Sequence, residues 1–232
     1  MSREAATLAP ARSAGEYARK ISFLCALRSF AVFTLTACTT PTAAPTPRVV
    51  SVYATAAAQP WLADVSNCAD SASITIRFSA SPSAANIRLR IGEPEHLNTP
   101  AYQIDREDLL VVTHRESLVP NLTAGEVRAL FSRPEGQSAQ IWVFASGEDI
   151  QQVFAREIMQ GTMVSSLARL AVSPRQMSEA INMDKNAAGI LPRHWKTGTM
   201  REVFSLPDLP VLAITTAEPQ GAVKEILACL QK

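Results

Sequence analysis

From residue 48 onward, short β-patterned runs alternate with capped helix starts, and that alternation leaves few architectures open. "RVVSVYA" (48–54) has the β-branched character of a strand, and Pro60 behind it suits the first turn of a helix. "SITIRFS" places Ile74, Ile76 and Phe78 inward with Thr75 and Arg77 outward, and "NIRLRI" places Ile87, Leu89 and Ile91 inward with Arg88 and Arg90 outward. Both read as half-buried strands, whereas the unbroken "LLVVT" (109–113) predicts a strand covered on both faces. In "NLTAGEVRALF", Thr123 and Glu126 form a capping box over which Leu122 and Val127 can close as a hydrophobic staple. "QIWVF" (140–144) is a strand leading into another helix, where Ser146 and Asp149 again have capping-box spacing. In "SPRQMSEAI", Ser173 caps, Pro174 takes the first helical position and Gln176 reaches back. "AAGILP" and "VLAIT" are late strands, and "GAVKEILACL" is a closing helix. This alternation predicts an α/β fold with an at least partly parallel sheet, and no internal repeat accompanies it.

The 232 residues suit one large domain or two small lobes. With a net charge of +1 and few aromatics, none interleaved with basic clusters, the chain lacks the electrostatic footprint of a nucleic-acid binder. Catalytic patterns are equally thin: G-x-S-x-G, H-E-x-x-H, a Walker lysine loop and G-x-G-x-x-G do not occur. "HRE" (114–116) has the order of a deaminase zinc motif, but the P-C-x-x-C it needs is missing. His114 and His194 read as a surface residue and a loop residue beside Trp195. We therefore expect no enzyme, no metal and no cofactor.

The first 38 residues follow other rules. Arg3, Arg12, Arg19, Lys20 and Arg28 form a basic lead to the short apolar run "SFAVFTLTA" (29–37), too short for a stable membrane span but of signal-peptide length. The run ends in "LTAC" (35–38), which resembles the lipobox of bacterial lipoproteins, whose cysteine receives a diacylglyceryl group and becomes the new N-terminus. "TTPTAAPTP" behind it is a semi-extended tether without core-forming residues. The expectation is a signal peptide at 1–37, lipidation at Cys38 and a tether over 38–47, hence an extracytoplasmic, lipid-anchored protein that meets the membrane through its anchor alone. The plainer alternative is an N-terminal helix with a buried cysteine. Cleavage before Cys38 removes five of the 22 basic and two of the 21 acidic residues, leaving a net charge of −2.

Cysteine usage fits the same compartment. Cys25 leaves with the signal and Cys38 is lipidated, so Cys68 and Cys229 remain, the number one disulfide needs. Each lies toward the end of an apolar helix face: Trp61, Val65, Cys68 and Ala69 in one, Ala222, Ile226 and Cys229 in the other. A bridge would close a loop of about 160 residues, near 5 kcal/mol in the chain-entropy model. Two unrelated buried thiols are the alternative.

The order of segments resembles the phosphate-binding-protein type of periplasmic solute-binding protein. "LLVVTHRESLVPNLTAGEVRALFS" is similar to that family's apolar crossing strand, Asn-Leu-Thr helix start and helix end; "WVFASGEDIQQVF" stands where the family has a strand followed by Ser-Gly-Thr; "SEAINMDKNAAGILP" looks like its return strand. Ordered similarity covers roughly 109–191. The resemblance implies a two-lobe periplasmic-binding-protein-like fold (type II) with two crossing strands, one lobe from 48–112 plus 190–232 and the other from 113–189, closing on a ligand between them. Both cysteines then fall in the discontinuous lobe and staple its segments. It implies a monomeric receptor for a small solute, handing it to an ABC-type permease by cleft closure. The other class of function is a relative that has lost its ligand and serves as an envelope interaction module.

Carried onto this sequence, the ligand-facing positions are Thr55 in "YATAAAQP", Ser79 and Ser81 (with Ser83) in "FSASPSAAN", and Ser146, Gly147, Glu148 and Asp149 in "ASGEDIQQVF". Glu148 stands where phosphate binders carry a threonine, and with Asp149 it puts two negative side chains at a helix start that otherwise favours an anion. Phosphate is therefore not the expected ligand. For the serines the plain reading is a polar Ser/Pro turn, and for "SGED" a helix cap. Side chains filling the cleft would favour the interaction module; an open cleft with unpaired donors would favour the receptor.

Overall fold

A computed structural model describes residues 48–132 and 139–231; the expected signal segment, Cys38 and the tether to residue 47 lie outside the described residues. One mixed sheet of eight strands runs through the molecule: β1 (Val49–Ala54), β2 (Thr75–Phe78), β3 (Ile87–Ile91), β4 (Ala101–Thr113), β5 (Gln140–Phe144), β6 (Arg169–Ala171), β7 (Ala187–Pro192) and β8 (Arg201–Thr215), in the order β2-β1-β3-β8-β4-β7-β5-β6. β2-β1-β3 and β6-β5-β7 are parallel groups at the two ends. β4 and β8 pair antiparallel along nearly their whole lengths in the middle. β3 pairs with the last part of β8, while β7 pairs with the last part of β4, so these two strands carry the chain across from one half to the other. The ladder between them shifts register between Gln103 and Asp105 and between Glu107 and Leu109, where the halves meet.

Helix α1 (Leu62–Ser71), entered through a short helical turn with Pro60 near its start, and α5 (Gly221–Leu230) cover one face of the β2-β1-β3 half. Val50, Val52, Ile87, Leu89 and Ile91 are each at most 1% exposed and form the core on that side. Each such side chain contributes about 1.5–3 kcal/mol by leaving water. Cys68 of α1 and Cys229 of α5 form a disulfide, with Cα atoms 5.8 Å apart across 161 positions of sequence. The β5–β7 half is packed by α2 (Ala124–Ser132), α3 (Asp149–Val153, which widens into a π-helical turn over Phe154–Met159) and α4 (Pro174–Met183). Phe131 and Phe154 meet there with ring centroids 4.7 Å apart. Gly189 lets α4 lie close on β7: an added Cβ would sit 2.5 Å from Met177 Sδ.

The local chemistry follows the sequence closely. Glu126 Oε2 accepts from Thr123 N at 2.7 Å and from Thr123 Oγ1 at 2.8 Å, closing the capping box. Ser173 Oγ accepts from Gln176 N, but Gln176 Oε1 reaches one residue past the cap to accept from Val172 N at 2.7 Å. Leu109, Leu110, Val111, Val112 and Thr113 are all buried, as an unbroken run in a central strand should be. One expectation changes: Phe78 is 58% exposed, because it ends the short edge strand β2.

Candidate functional site

The two halves of the sheet meet at a buried carboxylate. Thr55 follows β1, Ile91 ends β3, and Asp149 opens α3 after β5. Asp149 is 2% exposed. Its Oδ2 accepts from Thr55 Oγ1 at 2.6 Å and from Ile91 N at 2.8 Å, and its Oδ1 accepts from Ile150 N at 2.9 Å. Thr55 Oγ1 is itself fixed by accepting from Ala58 N at 3.3 Å, which leaves its proton for Asp149. One ionisable side chain from the β5 half thus takes a hydroxyl and a backbone N–H from the β1–β3 half. Charge-assisted bonds of this kind are short and about twice as strong as neutral ones.

Gly92 makes the approach possible. Its φ of +72° is one that glycine adopts at least cost, and a Cβ there would run into the side chain of Val153 on α3. Beside the clasp, Gln151 Oε1 accepts from Phe144 N at 3.0 Å, and Arg90 Nη2 donates to Gln152 Oε1 at 3.1 Å. Burial lowers the Arg90 guanidinium below its usual value; the Asp149 charge opposes that, while Arg156 and Arg88 add to it. Between the halves a void of about 10 Å³ remains, lined by Ala56, Ala57, Phe144, Glu148, Asp149 and Val172 among others. That is barely the room a single water needs.

The other sequence-derived positions divide. Ser146 and Gly147 are exposed, and Glu148 is half-buried. Glu148, in an extended conformation, holds the N-cap position with no side-chain cap bond, so the Ser146 capping box does not form. The Asp149 carboxylate that would have closed it is engaged across the cleft. Burial first, and the Asp149 charge second, hold the Glu148 carboxyl above the usual carboxylate range. Ser79 Oγ donates to Ser81 O at 2.8 Å, and the Ser81 and Ser83 hydroxyls pair at 2.9 Å. These serines satisfy one another within their turn, and no hydrogen bond joins them to Thr55 or Asp149 among the described residues.

Several participants had no signal in the sequence. The Ile91 donor is a backbone N–H, visible only once β3 and α3 are placed. Buried Glu107, 3% exposed, lies 2.8 Å from His194 Nδ1. The His194 ring lies 4.7 Å from Trp61, whose Nε1 donates to Asp105 at 2.8 Å, and Trp195 Nε1 donates to Ala57 O at 2.9 Å. His194 is therefore more than a loop residue: its turn is pinned to the middle of β4. Among the described residues no group of three His, Cys, Asp or Glu could hold a metal.

No protein-family model matches the chain, and no curated protein matches it in sequence. Solved structures do match in shape. A substrate-binding protein with bound phosphate, assigned to a phosphate ABC transporter of Clostridium perfringens, superposes with a TM-score of 0.68 at 11% identity over 79% of this chain and 93% of that one. An ABC-type phosphate transport receptor from Vibrio cholerae gives 0.60 at 13% identity over 79% and 93%. This is the type II periplasmic-binding-protein fold. The regulatory domain of HypT from Salmonella typhimurium shares it, with a TM-score of 0.55 at 9% identity over 80% and 95%. These three are binding proteins and a regulator domain, and at these identities the likeness establishes the periplasmic-binding-protein fold and leaves the activity to the site.

Proposed function

We propose that this chain is a lipid-anchored, extracytoplasmic relative of the solute receptors whose inter-lobe cleft is held shut by its own Asp149, and that it acts as an envelope interaction module. The observation that carries this reading is the clasp: the donors that could meet an anion, Thr55 Oγ1 and Ile91 N, are taken by a side chain of the chain itself. The void of about 10 Å³ beside it supports the same reading. The lobes would be 48–112 plus 190–232 and 113–189, with Cys38 as the lipid attachment and 38–47 as the tether.

A second reading is favoured by the likeness to two proteins of phosphate transport. In it, the chain delivers a small solute to an ABC-type permease, and Asp149 withdraws from Thr55 and Ile91 as the lobes part. The experiment that separates the readings is a thermal-shift screen of the full-length protein against oxyanions, amino acids, sugars and cationic metabolites. A ligand that binds only the folded state raises its melting temperature by mass action. Silence across the panel in a cooperatively melting protein is the expected result; a saturable shift would restore the receptor.

A further inference from the structure

Basic side chains collect on one face of the β2-β1-β3 half without an ion-pair partner among the described residues. Residues paired across neighbouring strands point to one side. Ser51 pairs with Arg77, Tyr53 with Arg88, and Arg88 and Arg90 with Ile214 and Leu212. Arg77, Tyr53, Arg88 and Arg90 therefore share the face opposite the one that α1 and α5 cover, and no carboxylate from β1, β2 or β3 joins them there. Arg77 is exposed, and Tyr53, Arg88 and Arg90 are half-buried.

These three guanidiniums make no ion pair with a carboxylate among the described residues. Arg88 reaches only Thr99 Oγ1, at 3.3 Å, and Arg90 only Gln152. The Nε atoms of Arg88 and Arg90 are both buried without an acceptor. Asp149 lies within electrostatic reach of Arg90, but its oxygens are turned to Thr55, Ile91 and Ile150. Arg88, half-buried with no acidic partner among the described residues, and Arg90, whose nearby carboxylate is turned to other donors, are incompletely compensated cations, and an incoming carboxylate would offset that.

We propose that the Arg77–Arg88–Arg90 face of the sheet docks an extended acidic segment of a protein partner, with carboxylates at alternate positions meeting Arg88 and Arg90. Two residues along a strand span about 6.6 Å, so an extended segment with carboxylates two residues apart has the repeat of those arginines. Bidentate guanidinium–carboxylate pairing supplies the specificity, and Tyr53 a flat surface between Arg77 and Arg88. The proposal rests on the interaction-module reading and gives it a ligand chemistry.

The test uses the purified full-length protein and a fluorescein-labelled peptide of alternating Glu and Ser, read by anisotropy, with Gln replacing Glu in a neutral control. Saturable binding of the Glu peptide alone is expected. It should weaken about tenfold in Arg77→Gln with Arg88→Gln and fall steeply from about 0.1 to about 0.5 M salt. Arg175→Gln, on the exposed side of α4, should leave binding unchanged, and Arg77→Lys with Arg88→Lys, which keeps the charge but not the guanidinium fork, should weaken binding by less than the Gln pair does but measurably. Circular dichroism of each variant separates lost docking from a lost fold. Equal binding of the Gln peptide, or equal loss in Arg175→Gln, overturns the proposal. Binding to phosphatidylglycerol vesicles with none to the peptide also overturns it, in favour of a membrane surface. A solute shift in the thermal screen would remove the locked-cleft reading without moving this binding curve, so the two fail separately.

Discussion

Replacing Asp149 by alanine should weaken the fold and at the same time expose an oxyanion site. The substitution strands the Ile91 N–H in a buried place and leaves the Thr55 hydroxyl, already held by Ala58 N, without an acceptor. An orphaned buried donor costs about 1–3 kcal/mol, and bonds to a charged group contribute about 1.5–3 kcal/mol each. Against this, the variant no longer has to desolvate a carboxylate, and water can relax into the gap. A net loss of about 2–4 kcal/mol follows, or about 5–12 °C in melting temperature for a domain of this size. Formate, acetate or phosphate should then recover part of the loss, since a ligand at about 100 times its Kd adds about 2.7 kcal/mol. Thermal melts of wild type and variant, with each anion at matched ionic strength, provide the assay. Wild type should not respond to the anion's identity. A variant that melts with wild type would show that the clasp contributes nothing. One that melts low yet ignores every anion would show that Thr55 and Ile91 do not form a cradle.

Cys38→Ala should release the protein from the membrane fraction; unchanged fractionation would end the lipid-anchor proposal. Cys68 and Cys229 should resist thiol labelling until reductant is added, and their reduction should lower stability by up to about 5 kcal/mol for a loop of this length; ready labelling of the untreated exported protein contradicts the bridge. Glu148→Gln should raise the melting temperature at neutral pH and not in acid. A carboxyl held above its usual value binds its proton more tightly folded than unfolded, so its ionisation weakens the fold as pH rises through the folded value, and below the unfolded value the penalty is absent. A pH series in which the gain is largest in acid would reverse that sign.

How much was legible depended on whether a feature is local. The capping box at Thr123 and Glu126, the cap at Ser173 and the alternation of "NIRLRI" are set by neighbours in sequence, and each stands in the structure as its pattern implies. The crossing strands extend beyond the apolar runs that mark them, "LLVVT" in β4 and "VLAIT" in β8. "AYQIDRED" carries charges where β4 shifts register, and the early part of β8 holds Pro207 and Pro210, which argue against a central strand. The ladder tolerates them at its irregular middle, where Asp208 takes a positive φ of 62°. β6 is only three residues long, too short for any period to show. At the site, the sequence singled out Thr55 and Asp149 but not their bond, because a contact across 94 residues has no local signature. Capping-box spacing at Ser146 is a local signal, while the interaction that overrides it is not.

A tethered carboxylate is a demanding competitor. A group held by a short segment of chain acts at an effective concentration on the order of millimolar or more. A free carboxylate of equal intrinsic affinity, present at about micromolar concentration, would therefore occupy the Thr55–Ile91 donors on the order of a thousandth of the time. Displacement also leaves Asp149 and Glu148 next to the newcomer, which adds repulsion to competition. Gly92 favours the closed arrangement further, since it lets Val153 lie where any other residue would place a Cβ. An anion could win only if the two halves separated far enough to carry α3 away, and that motion has to break two bonds to a buried carboxylate at once. A cationic group gains nothing from the Thr55 and Ile91 donors, and a neutral oxygen accepts from them more weakly than the carboxylate it would replace. Arg77 and Arg88 of this half make no bond to the other half among the described residues, so the partner proposed for that face can bind them without opening the clasp.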